Sequence, residues 1–292
     1  MSHSNMELLA AYWTLAGDVY PGAPTEVSPH SLQDRAQAAA KVGYTGMGLV
    51  HADLMHYART IGYGGVKRIL DDNGIRHVEV EFLGDWFCPL GDPRRKASDQ
   101  VRGELLEAAA ELGARNLKVS PALFEEVPAD VPALAEEFAL LCQQARPMGT
   151  AVIMEMMPFT NVKTLDTAIA IIQTAGQANG GLLLDIWHLV RGGMDYSEIA
   201  KIPACYFKGI ELDDADEQIV GTLFEDTRFS RRLCGQGFFD IPRFLREAQA
   251  AGFCAPYYGV EIINETFRKQ PLDVMAQTSF DTAMTEVRRA FN

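Results

Sequence analysis

Four short apolar runs in this chain each end in a carboxylate. They read Ala-Val-Ile-Met-Glu over 151–155, Gly-Leu-Leu-Leu-Asp over 181–185, Tyr-Phe-Lys-Gly-Ile-Glu over 206–211 and Tyr-Gly-Val-Glu over 258–261. A strand covered by helices on both faces of its sheet is apolar throughout, so such runs point to buried parallel strands. In alternating β/α folds the carboxyl ends of the strands carry the chemistry. The runs therefore deliver Glu155, Asp185, Glu211 and Glu261, in that order, to one end of one sheet. Ionised carboxylates buried together repel, so they need a cation or must bind protons more tightly. An all-oxygen set suits Mg²⁺ or Mn²⁺ better than Zn²⁺.

The rest of the chain repeats the pattern. Strands are expected at 8–13, 44–50, 76–82, 116–119, 150–156, 181–185, 205–212 and 257–263. Helices are expected between them: one capped by Ser31 and running to 41, one at 65–72 stopped by Asn73-Gly74, and one at 98–112 closed by Gly113. Others follow at 131–146, from Asn161 as cap to 175, at 196–200, from Asp240 or Pro242 to Gly252, and at 271–291. No Ser- or Gly-rich linker interrupts the 292 residues. Eight alternations in that length imply one α/β domain, 1–292, closed into a (β/α)₈ TIM barrel. The loop at 84–94 holds Trp86 and Phe87 and is long enough to cover a site.

The formal net charge of −13 argues against a nucleic-acid partner and against an anionic membrane surface. It is compatible with a small neutral or weakly charged substrate. The five cysteines form no CxxC pair and are odd in number, as expected of reduced thiols in a cytoplasmic protein. Residues 1–7 do not read as a secretory leader. No apolar run approaches the ~20 residues of a membrane span.

Four motifs resemble a known superfamily. They are Asp185-Ile-Trp-His188 with Gly192-Gly193, Ile210-Glu-Leu-Asp-Asp214, Arg231-Arg-Leu-Cys-Gly-Gln-Gly237, and Gly252-Phe253 followed by Gly259-Val-Glu261. Together they resemble the xylose isomerase-like TIM barrels, which include sugar isomerases, epimerases and AP endonuclease relatives. The resemblance implies one divalent metal, usually Mn²⁺ with Mg²⁺ or Co²⁺ as alternatives, held by Glu155, Asp185, Glu211 and Glu261. It implies that Glu155 and Glu261 also move protons, and that His188 and an arginine after strand seven, Arg231 or Arg232, contact substrate oxygens. Two positions depart from the family pattern: Glu211 stands where it has His or Gln, and Cys234 where it has Pro. Relatives of this kind are often dimers or tetramers, so a homo-oligomer is compatible.

Other residues keep two readings. Asp213 shares the alternation face of Glu211 and is the alternative ligand. His51 looks into the barrel mouth as a substrate contact, or is an ordinary loop histidine. Lys118 and Glu81 are a buried ion pair, or Lys118 meets substrate as an auxiliary acid or base. Trp13, Trp86, Phe87 and Trp187 form an apolar wall for a sugar ring, or pack the core.

The function expected is a metal-dependent isomerase or epimerase of a keto-sugar or polyol, working by proton abstraction next to a carbonyl. The alternative is a lyase on the same scaffold, a dehydratase or β-eliminase. A DNA-repair endonuclease would need a histidine-rich zinc site and a basic face, and this acidic chain has six His. A non-catalytic sugar-binding subunit is a remote alternative. Four retained carboxylates argue against it, because buried charge without metal is destabilising.

Overall fold

The computed structural model describes residues 6–125 and 127–292. His3 and nearly all of the stretch read against a leader lie outside the described residues. Eight strands follow one another around a closed barrel: β1 (Glu7–Ala10), β2 (Gly46–Val50), β3 (His77–Leu83), β4 (Asn116–Val119), β5 (Ala151–Glu155), β6 (Gly180–Asp185), β7 (Phe207–Leu212) and β8 (Tyr257–Val260). Each pairs in parallel with the next, and β8 closes on β1 through Glu7↔Tyr257 to Ala10↔Val260. The barrel is thus a single (β/α)₈ unit, as the eight alternations imply.

Helices wrap the outside. They are α1 (Tyr12–Leu15), α2 (Leu32–Val42), α3 (His51–Thr60), α4 (Gly62–Asp72), α5 (Pro93–Leu112), α6 (Val131–Ala145), α7 (Leu165–Ala175), α8 (Ile186–Arg191), α9 (Leu223–Phe229), α10 (Ile241–Ala250) and α11 (Leu272–Phe291). The outward faces of the strands and the inward faces of the helices make the main apolar core, with Leu8, Val80, Leu117, Val152, Leu182 and Leu212 against Leu105, Phe138, Ile172 and Phe244. Among the described residues no helix is long and apolar enough to cross a membrane.

Several boundaries differ from the sequence reading for local reasons. Ser31 caps α2 as read, accepting from the Asp34 N–H. Helix α5 starts at Pro93 rather than 98, because Asp92 accepts from the Arg94 N–H and Pro sits in the first turn, where its missing donor costs nothing. Asn161 does not cap α7. Its Oδ1 accepts from the Ala122 N–H and ties two loops together, while Thr164 caps the helix. Strand β1 ends at Ala10, and the residues after it turn into α1, which carries Trp13. Trp86 does not cover the mouth: it is fully buried, donates to the Ser120 carbonyl at 2.7 Å and packs against Phe138.

Candidate active site

The four strand-end carboxylates converge. Glu155, Asp185, Glu211 and Glu261 each offer an oxygen, all within 4.8 Å of one another, and all four side chains are buried. Register explains it: Glu155 pairs with Leu183, Asp185 with Glu211, and Glu211 with Gly259, so the residues sit at one level of the barrel. Gly259 makes room for this set, since a side chain there would meet the Glu211 Cγ at 2.7 Å.

Three more carboxylates border the set, and two cations hold the group together. Arg231 Nη1 reaches Asp185 Oδ2 at 2.6 Å and Glu261 Oε2 at 3.1 Å, and bonds Asp213. Lys118 Nζ bonds Glu211 and lies 3.4 Å from Glu81 and 3.6 Å from Glu79. Below, Glu79 Oε1 accepts from Tyr257 at 2.7 Å and from Asn116 at 2.6 Å. Asp213 is therefore bound to Arg231 and lies outside the group of four, while Glu211 lies inside it. Lys118 is buried beneath the carboxylates and does not reach the cavity wall.

The charge does not balance. Seven buried carboxylates (Glu79, Glu81, Glu155, Asp185, Glu211, Asp213 and Glu261) face two fixed cations. Burial, with Glu261 nearby, pushes the Glu211 carboxyl well above its usual range. Burial beside Asp185 does the same to Asp213, and burial pushes Glu261 up to about 8 despite Arg231. Burial disfavours the charge on Asp185 too, but Arg231, His188 and the Trp187 N–H together hold that carboxyl low. Burial also opposes the charge on Lys118, and Glu211, Glu81 and Glu79 more than restore it. The second oxygen of Glu211 and Oε1 of Glu81 have no hydrogen-bond partner. Unpaired buried oxygens and excess negative charge at one spot fit an oxygen-seeking divalent cation.

Above the carboxylates lies a cavity of about 400 Å³. Of the four, Glu155 and Glu261 line it and Asp185 and Glu211 do not. His188 lines it too, with Nε2 3.3 Å from Glu155 and Nδ1 without a partner. Trp13, His51 and Arg231 are also on the wall, although His51 is bound to Glu104 at 2.5 Å. Arg232 is not. It lies at the surface, paired with Asp216 at 2.6 Å. Trp187 is fully buried and donates to Asp226.

The sequence reading missed the aromatic side of this cavity. Phe159, from the loop after β5, and Phe224, from α9, pack edge to face, and Phe124 stacks on Phe159 and meets Phe224 edge to face. Arg228 of α9 lies over the Phe224 ring. A signal was present: Thr222-Leu-Phe-Glu225 is a capping box, and it starts a helix that spaces Phe224 and Arg228 one turn apart.

Comparison with known proteins bears on this site. Residues 36–283 match the family model described as xylose isomerase-like TIM barrel. A 3-dehydroshikimate dehydratase of Pseudomonas aeruginosa is 28% identical over 242 residues, 82% of this chain and 37% of that protein. An inosose isomerase of Halalkalibacterium halodurans is 25% identical over 153 residues, 52% of this chain and 53% of that protein. The chain therefore spans about half or less of the curated relatives it matches. Among solved structures, IOLI protein with a zinc atom superposes with a TM-score of 0.83 at 19% identity, covering 98% of this chain and 100% of that one. That likeness is one of fold.

Proposed function

The chain belongs to the xylose isomerase-like TIM barrel family, and from that premise we propose a divalent-metal-dependent enzyme that removes a proton next to a carbonyl in a small carbohydrate or related polyhydroxylated ring. The observation that carries this reading is the surplus of buried carboxylate around four convergent oxygens. Glu155, Asp185, Glu211 and Glu261 would hold the cation, with Mn²⁺ preferred and Mg²⁺ or Co²⁺ able to replace it. Bound there, a divalent ion polarises the carbonyl and screens the carboxylates.

The proton transfers are assigned to Glu155 and Glu261, because these two line the cavity. One takes the α-proton as a carboxylate. The other, protonated, gives a proton to the neighbouring carbon, which yields an isomer, or to the opposite face of the same carbon, which yields an epimer. Arg231 orients Asp185 and Glu261. His188, which lines the cavity, meets a substrate oxygen. His51 and Trp13 are further contacts.

A second outcome starts from the same deprotonation. If the protonated carboxylic acid serves a β-hydroxyl instead, that group leaves as water and the enzyme is a dehydratase. The relative aligned over most of this chain, the 3-dehydroshikimate dehydratase, favours that outcome.

The test is elemental analysis of the purified protein beside a Glu155→Gln, Asp185→Asn variant. About one divalent ion per chain is expected in the parent and none in the variant. Screening keto-sugars and cyclic keto-polyols for deuterium uptake from solvent then separates isomerisation from elimination by product. A metal-free parent with no deuterium uptake overturns the reading.

A further inference from the structure

Arg228 is a cation without a partner on the wall of an acidic cavity. Its guanidinium lies 4.6 Å from the Phe224 ring centre, 4.9 Å from Tyr20 and 5.0 Å from Phe229. Among the described residues it makes no hydrogen bond or ion pair, and its Nε is buried without an acceptor. Its neighbour Arg268 lies over two of the same rings, Tyr20 and Phe229, yet is neutralised by Asp18 at 2.8 Å. The nearby carboxylates bond other groups, although Glu225 feels the Arg228 charge through space. Glu225 accepts from Thr222, Asp226 pairs with Arg191 at 2.9 Å, and Glu26 accepts from the Gly22 N–H.

The remaining basic groups on the cavity wall are already occupied. Arg231 is taken by three carboxylates, His188 faces Glu155 and His51 is bound to Glu104. Arg228 is therefore the one cation free to meet a ligand there, among the described residues. Three rings hold its plane and remove much of the entropy that an arginine loses on binding. A planar, preorganised guanidinium whose terminal nitrogens bond no other group matches a carboxylate. One unpaired cation also matches one negative charge, which a carboxylate carries and a phosphate exceeds.

We infer that the substrate of this site carries a carboxylate, which Arg228 binds while its keto end faces Glu155 and Glu261. The inference rests on the proposed metal-centre reading and narrows the substrate to a polyhydroxylated keto acid. A neutral sugar would leave the half-buried Arg228 held against the rings without an ion pair.

The test uses the metal-loaded protein, calorimetry, and three probes: quinate, a cyclic polyhydroxy carboxylate; myo-inositol, a neutral cyclic polyol; and a myo-inositol monophosphate. Quinate is expected to bind about tenfold to a hundredfold more tightly than myo-inositol, in line with a charge-assisted hydrogen bond. Arg228→Met keeps the stem against the rings and is expected to abolish that preference, so that quinate falls to the affinity the same folded variant shows for myo-inositol. Arg228→Lys, which keeps the charge but not the fork, should restore part of it.

Equal binding of quinate and myo-inositol overturns the inference, as does a preference that survives Arg228→Met. Tighter binding of the monophosphate than of quinate also overturns it, in favour of a phosphate. No binding of any probe to a protein that holds its metal overturns the inference alone. A protein that takes up no metal fails the metal-centre reading instead, and the inference falls with it.

Discussion

Lys118 and Glu211 come from β4 and β7, and their bond crosses the barrel interior. Glu211 adds a charge that a neutral side chain at that position would not. Lys118 supplies the compensation, because it matches that extra negative charge with a buried positive one. Removing one partner of a buried pair strands the other. Lys118→Met is expected to cost about 3–5 kcal/mol in denaturant melts. Adding Glu211→Gln to it should recover more than half of that loss. Additive losses in the double variant would mean that the two residues do not act as a pair. The four carboxylates were legible in sequence because each ends an apolar run. The pairing of Lys118 with Glu81 was legible too, but its contacts with Glu211 and Glu79, and the tie between Arg231 and Asp213, were not. Which groups meet across a barrel is set by register and strand tilt, and no local pattern records these.

The eight strands were legible as elements because helices cover them and their apolar runs are unbroken. Helices α3 and α9 were not legible. The first buries only Asp53, Leu54 and Met55, and the second only Asp226 and Thr227, so neither has an apolar stripe to read. Helix α9 depends on its capping box instead. Thr222→Ala is expected to destabilise the protein by about 1 kcal/mol and to weaken quinate binding with it, since the helix carries Phe224 and Arg228. Melting curves and calorimetry on one preparation check both.

The entry to β1 has its own electrostatic tie. Glu7 accepts from Arg76 and His77 at 2.5 Å and from Thr45 at 3.0 Å, joining the starts of three neighbouring strands. Burial works against its charge, but these donors, His77 foremost, hold the carboxyl below its ordinary value of 4.5. A depressed carboxyl contributes stability above its unfolded value, and that contribution is lost as pH falls through the folded one. Glu7→Gln should therefore lower stability by about 1 kcal/mol or less at neutral pH, the scale of partly exposed pairs. The two proteins should converge well below pH 4.5. Acid unfolding curves that stay parallel would rule the tie out.

At the scale of the whole molecule, the surplus of buried carboxylate links stability to metal. A ligand that binds only the folded barrel stabilises it by roughly 2.7 kcal/mol at a hundredfold excess over its Kd. Adding Mn²⁺ to chelator-stripped protein should raise the melting temperature by several degrees, and the Glu155→Gln, Asp185→Asn variant should not respond. A variant that responds equally would locate the metal elsewhere.

The cavity wall draws on all eight strand–loop units: Trp13, His51, Phe82 at the end of β3, Leu123, Phe159, His188, Arg228 and Ile263. The segments after β1 and β7 contribute most, and none contributes the whole. The carboxylates and Lys118 belong to the strands and their ends, at the floor of the cavity, where Glu155 and Glu261 reach into it beside Arg231. Recognition and reactivity are therefore inherited separately. A lineage of such chains can exchange one loop at a time, trying a new substrate with each change, while the reacting end stays intact.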